Sequence, residues 1–145
     1  AEIYRQGIAT QTATFQQEVP TREEWNNSHL PSCRIVVLCS NNLIGWAALS
    51  PVSSRAVYAG VAEVSLYIAQ QYRGKQIGQK LLRQLITESE AQGFWTLQAS
   101  VFAENVASIA SHKAVGFRIV GRREKIAQLN GQHLATRLVI FDKQI

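Results

Sequence analysis

Two periodicities alternate along this chain. Over 61–69, Ala62, Val64, Leu66 and Ile68 are apolar, with Glu63, Ser65 and Tyr67 between them. A period of two predicts a strand with two unlike faces. Over 75–92 the period lengthens. Ile77, Leu81, Leu82, Leu85 and Ile86 fall on one side of a helix, and Gly93 ends it. Downstream, 94–102 predicts a strand and 105–115 a short helix stopped by Gly116. Its expected apolar stripe is Val106, Ile109, Ala110 and Ala114. Upstream, 33–39 and 43–49 predict a hairpin through a Ser-Asn-Asn turn, and 50–60 a loop. Residues 2–9 read as the end of a helix. Thr21–Leu30 reads as another, with Thr21 and Glu24 forming a T-x-x-E capping box and Pro31 stopping it. The last 29 residues predict a hairpin around Leu129-Asn130-Gly131-Gln132. The order α-α-β-β-β-α-β-α-β-β predicts an α/β (α+β) fold, a mixed sheet with helices on both faces.

Composition narrows the class. The chain has 145 residues without repeats or a linker, so 1–145 is expected to be a single domain. Hydrophobic residues are 46% and charged residues 17%, which excludes a disordered or low-complexity chain. No apolar run approaches the ~18 residues of a membrane span, and no signal-peptide pattern opens the chain. A cytoplasmic location is expected. Cys33 and Cys39 fall in one expected strand, roughly 20 Å apart when extended, so they cannot bridge. They read as small buried residues of a reducing compartment. Three His without a CxxC pair offer no zinc pattern. The net charge of +5 admits nucleic acid, an anionic membrane or a polyanionic small molecule. The placement of that charge decides among them.

The expected helix at 75–92 is charged against its own dipole. Arg73, Lys75, Lys80 and Arg83 lie at its start, Glu88 and Glu90 at its end. The opposite arrangement is favoured by ~0.3–1 kcal/mol per charge. A polyanion held by the first-turn amides accounts for the inversion, and Gly74 and Gly78 let a phosphate approach the backbone. A solvated basic patch is the bland alternative. Glu63 is either a solvent-facing strand residue or a base whose pKa is raised by partial burial. It lies roughly 15–20 Å along the chain from the anion site. Asn105, Ser108 and His112 share one helical line. Asn105 also reads as an N-cap and His112 as a surface residue.

The run Arg73-Gly74-Lys75-Gln76-Ile77-Gly78 resembles the acyl-CoA pyrophosphate loop of the GNAT superfamily of N-acetyltransferases, Gln/Arg-x-x-Gly-x-Gly/Ala. More narrowly, GIATQTATF, Arg55-Ala56-Val57-Tyr58, GVAEVSLYIA, AQGFW and ENVASIASHKAVGF resemble the phosphinothricin N-acetyltransferase branch, along nearly the whole chain. The resemblance implies a twisted, mostly antiparallel GNAT-like sheet and acetyl-CoA as cosubstrate. It implies cofactor contacts from Leu66, Tyr67 and Ile68, from Arg73, Gly74, Lys75, Gln76, Ile77 and Gly78, and from Asn105 and Ser108. Glu63 is implied as general base, the Leu66 amide as the group polarising the thioester, and His112 as acid or proton relay. Arg55, Tyr58, Thr12, Thr14 and Phe15 are implied to hold a small amino acid such as phosphinothricin, methionine sulfoximine or sulfone, or an arsenic analogue. Acetylation of such a compound is implied to confer resistance. A homodimer is implied, with no nucleic acid, membrane or metal partner. Three departures stand out: Gln76 where the loop pattern has glycine, Ser100 where some relatives carry Arg, and the family's first edge strand lying outside these residues. The rival readings are a same-fold enzyme for peptide N-termini or another amine, a CoA-binding sensor, and a basic nucleic-acid-binding module.

Overall fold

The strand over 61–68 becomes the middle of a six-stranded sheet. A computed structural model describes residues 1–10, 18–124 and 138–145. In chain order the elements are α1 (Glu2–Thr10), α2 (Arg22–Ser28), β1 (Ile35–Cys39), β2 (Asn42–Pro51), β3 (Val61–Ile68), α3 (Ile77–Ala91), β4 (Thr96–Phe102), α4 (Val106–Ala114), β5 (Arg118–Arg123) and β6 (Leu138–Gln144). The strands lie in the order β1-β2-β3-β4-β6-β5. All neighbours are antiparallel except β3 and β4, which α3 connects as a parallel crossover. The turn expected at Leu129–Gln132 lies outside the described residues, as do Thr12, Thr14 and Phe15.

The two faces of the sheet have separate cores. On one, Leu81, Leu82 and Leu85 of α3 pack on Leu49, Ala62, Val64, Leu97, Ala99 and Phe141. On the other, Ile3 of α1 packs with Trp46, Ala48 and Ala69, flanked by Tyr4, Trp25 and Tyr67. The period of two in β3 is what lets it serve both.

Two expectations need correcting. Cys33 precedes β1 rather than lying in it; it is buried with φ 59°. Cys39, expected inside, is exposed, because it ends β1 at the hairpin turn where Ser40 and Asn41 both take positive φ. In α4 the expected stripe is misplaced except at Ile109, which packs against the core. Val106 is 71% exposed and Ala110 and Ala114 are exposed, whereas His112 is 2% exposed. The helix rests on the aromatic rings Phe117 and Phe141, so a planar ring seats there better than a small alanine.

Candidate active site

β3 and β4 pair over only three rungs: Val61 with Thr96, Ala62 with Leu97, Glu63 with Gln98. Beyond Glu63 the strands part. β3 stays on β2 as far as Ile68 opposite Gly45, and β4 stays on β6 as far as Phe102 opposite Leu138. The parting leaves β3 backbone groups facing a gap. The Ala69 N–H donates to the Ile44 carbonyl on the β2 side, at 2.8 Å. Backbone polar groups alternate sides along an extended strand, so those of Leu66 and Ile68 face the other way. The Ile68 carbonyl indeed accepts from Arg73 Nε on that side, at 3.3 Å.

A cleft of about 320 Å³ opens there. β3 supplies Leu66, Tyr67 and Ile68; the start of α3 supplies Arg73, Gly74, Gln76, Ile77 and Gly78; α4 supplies Asn105 and Ser108. Ten of the eleven residues expected to hold the cofactor are thus brought together. The eleventh, Lys75, is exposed at the mouth, its Nζ 5.4 Å from the centre of the Tyr72 ring. Sequence reasoning missed Gly7, Tyr72, Gln79, Ala107, Ala110 and Ser111, which also line the cleft. The signal for three of them was present: Ala107, Ala110 and Ser111 are small residues on one flank of α4, where a bulky side chain would fill the space.

α3 begins without a side-chain cap. Its first-turn amides have no partner inside the helix by geometry, and Ile77, Gly78 and Gln79 line the cleft. Gln76 turns the chain into the helix at φ 62°, ψ 16°, a left-handed conformation that glycine adopts more readily. A Cβ on Gly78 would lie 3.3 Å from Ser111 Oγ and 3.7 Å from Leu66 Cδ2, so even a methyl group would be tight against α4 there.

α4 is capped by Asn105, whose Oδ1 accepts from the Ser108 N–H at 3.3 Å. Its other expected functional residue, His112, is not brought to the cleft. The ring stacks on Phe141 at 5.4 Å and meets Phe117 edge-on at 5.1 Å. Nδ1 is 2.7 Å from the Ser108 carbonyl. A carbonyl only accepts, so Nδ1 carries the hydrogen and the neutral ring keeps Nε2 as a bare acceptor. Burial pushes the imidazole pKa below its usual 6.5, against the opposing pull of the Ser108 bond.

Glu63 sits at the fork of β3 and β4, on the face away from α3. Glu63 is exposed on the surface of the sheet, and partial desolvation of its carboxyl raises the pKa from its ordinary value. The loop joining β2 to β3 lies at the same end of the sheet. There the Arg55 guanidinium stands 5.7 Å from the centre of the Tyr58 ring, and both residues are exposed.

Anion-ready amides, basic residues and a parted parallel pair lie in one cleft. A sequence model of the acetyltransferase (GNAT) family matches residues 2–117. The chain belongs to the GNAT acetyltransferase family. It is an acetyl-CoA-dependent N-acetyltransferase. It is 27% identical over 138 residues to the L-methionine sulfoximine/L-methionine sulfone acetyltransferase of Pseudomonas aeruginosa, covering 91% of this chain and 80% of that one. A GNAT phosphinothricin acetyltransferase from Sinorhizobium meliloti, solved with acetyl-CoA, superposes with a TM-score of 0.86 and 27% identity over 99% of this chain and 80% of the other. The ribosomal-protein-alanine N-acetyltransferase of Brucella melitensis superposes with a TM-score of 0.87 and 26% identity over 99% and 91%. No helix among the described residues of this GNAT chain is long and apolar enough to cross a membrane.

Proposed function

We propose that this GNAT enzyme acetylates the α-amino group of a small amino acid with a tetrahedral polar head, of the methionine sulfone or phosphinothricin kind. The observation that carries the reading is the fork: Glu63 stands where β3 and β4 part, at the far end of the strand from the α3 amides. Five residues of β3 separate Glu63 from Ile68, roughly 17 Å, which suits a long phosphorylated cosubstrate anchored at its anionic end.

The first-turn amides of α3, with Arg73 and Lys75, would hold the diphosphate of acetyl-CoA. Bound acetyl-CoA supplies an activated acetyl group. The Leu66 amide, facing the gap, donates to the acetyl carbonyl oxygen, where negative charge develops. Glu63 takes one proton from the substrate ammonium, directly or through a water. The amine nitrogen then bonds the acetyl carbon as the carbon–sulfur bond breaks. The nitrogen sheds a second proton on becoming an amide, and the thiolate takes one up. His112 is neutral at pH 7 with its hydrogen held by Ser108, so we assign it to seating α4 rather than to protonating sulfur. Arg55, beside Tyr58, binds the substrate carboxylate. The enzyme acts in the cytoplasm as a homodimer. Acetylation of such an amino acid would remove its toxicity.

Thiol release from acetyl-CoA across a panel of amino acids tests the substrate class. Glu63→Gln should lower kcat and kcat/KM together, by ~10²–10⁴-fold. Arg55→Ala should mainly raise KM for the amino acid and leave KM for acetyl-CoA unchanged. Near-wild-type turnover of Glu63→Gln at neutral pH would place the base elsewhere. A panel that is silent while a peptide beginning with alanine is acetylated would favour the N-terminal reading, which the Brucella neighbour's name raises.

A further inference from the structure

Five neighbouring strands each place one residue on a single line across the sheet. Ser50 lies opposite Glu63, Glu63 opposite Gln98, Gln98 opposite Asp142, and Asp142 opposite Arg118. Paired residues point to the same face. The flanking residues Leu49, Ala62, Val64, Leu97, Ala99 and Phe141 are in the α3-side core, so the polar line lies on the opposite face, with Glu63.

The line is not uniformly available to a ligand. Asp142 is committed: its Oδ1 accepts from Arg118 Nε at 2.7 Å and its Oδ2 from Arg118 Nη2 at 3.2 Å. Glu63 and Gln98 are different. Among the described residues no side-chain hydrogen bond engages either. Gln98 is half-buried, and the two form the last rung before the strands separate. Strands pair roughly 5 Å apart, so a carboxylate and a carboxamide stand side by side at the fork, neither engaged by a side chain of the described residues.

We propose that Gln98 is an acceptor-binding residue: its side-chain carbonyl takes a hydrogen bond from the substrate amine while Glu63 takes the amine's proton. This rests on Glu63 being the base. An ammonium carries three N–H groups. Once one proton has gone to Glu63, holding another of the N–H groups aims the freed lone pair at the acetyl carbon. A second acceptor beside the base does this. A neutral amide suits the place, because a second carboxylate would raise the proton affinity of Glu63 further. The paired Asp142 leaves no bare charge next to Gln98 to compete for the ammonium.

The test uses Gln98→Leu and Gln98→Glu, with the panel amino acid that the wild-type enzyme turns over fastest, L-methionine sulfone being the first tried. Gln98→Leu keeps the volume and removes the acceptor. It should lower kcat/KM for the amino acid by roughly 10-fold or more, with acetyl-CoA affinity unchanged as the check on folding. Gln98→Glu should move the acid limb of kcat/KM to higher pH. The other charged or titratable groups at this end of the sheet, Asp142, Arg118, Arg55 and Tyr58, are the same in both variants. Wild-type amino-acid parameters in Gln98→Leu overturn the inference, even where Glu63→Gln is inactive. Full activity in Glu63→Gln overturns the base assignment and, with it, the pairing.

Discussion

Helices α2 and α3 begin in opposite ways. At the start of α2, Thr21 Oγ1 accepts from the Glu24 N–H at 3.1 Å and its hydroxyl donates to the Glu24 carboxylate at 3.0 Å. Acidic residues Glu23 and Glu24 occupy the first turn, as the dipole favours. That start satisfies itself. The start of α3 has no side-chain cap, a non-glycine residue at positive φ, and basic residues on the wrong end. A start so poorly satisfied from within is completed from outside, and α4 stands between the two: capped by Asn105, yet lining the same cleft. Changes at α2 should therefore cost stability and spare binding, while changes at α3 should do the reverse.

The largest effect is expected at Gly78. Gly78→Trp puts a ring where a bare Cβ already approaches Ser111 and Leu66. It blocks the first-turn amides from a diphosphate. Losing two or more charge-assisted hydrogen bonds should weaken acetyl-CoA binding roughly a thousandfold, ~4 kcal/mol. Titration calorimetry measures this, and a melting curve of the same sample checks the fold. Affinity within threefold of wild type would mean that the cosubstrate does not use this helix start.

This end of α3 was legible in the sequence because its oddity is local: six consecutive residues and an inverted charge. The Thr21–Glu24 box and the period of β3 were legible for the same reason. What was not legible depends on other strands. The parting of β3 from β4 after Glu63 is a matter of register, and Gln98 reads as an ordinary polar strand residue until Glu63 and Asp142 are placed beside it. The burial of His112 was not legible because α4 is short and small residues occur on more than one flank. Ala107 and Ala110 face a cleft and the histidine faces the core, the reverse of what hydropathy alone assigns.

The next effect concerns that histidine. His112→Ala removes a ring that stacks on Phe141 and meets Phe117 edge-on and should cost about 2–3 kcal/mol of folding stability. pH offers a second handle. The folded imidazole holds its proton less tightly than the unfolded one, so the unfolded state binds more protons below pH 6.5. Stability should fall as pH drops from 6.5 towards the lowered value. His112→Phe should flatten that limb; what remains includes the fall from His29, whose pKa is also lowered by burial, and an opposing rise from Glu63, whose raised carboxyl favours the folded state as pH drops. Denaturant melts from pH 5 to 8 read both. A turnover loss in His112→Phe far beyond its stability change would return His112 to the chemistry.

Thr21→Ala should cost ~1 kcal/mol, the usual price of an N-cap, in a denaturant melt. Acetyl-CoA affinity should be unchanged, because α2 contributes nothing to the cleft. A matching loss of affinity would show that the two helix starts are coupled and that the contrast between them is false.

The smallest effect is the most discriminating. Gln76 holds φ 62° at the entrance to α3, where a side chain costs roughly 1 kcal/mol relative to glycine. Gln76→Gly removes that strain but adds freedom to the unfolded chain, which offsets roughly 0.5–1 kcal/mol. The net change in stability should therefore be within about 0.5 kcal/mol. Thr21→Gly should likewise lose only a few tenths, since glycine is a tolerated cap. The two variants should separate in binding. Gln76→Gly clears a side chain from the mouth of the cleft and lets a phosphate approach the backbone more closely, so acetyl-CoA affinity should hold or rise, while Thr21→Gly leaves it unchanged. Calorimetry on both settles the point: if affinity falls in Gln76→Gly, the glutamine side chain itself holds the cosubstrate, and the departure from glycine at this position is a contact rather than a tolerated strain.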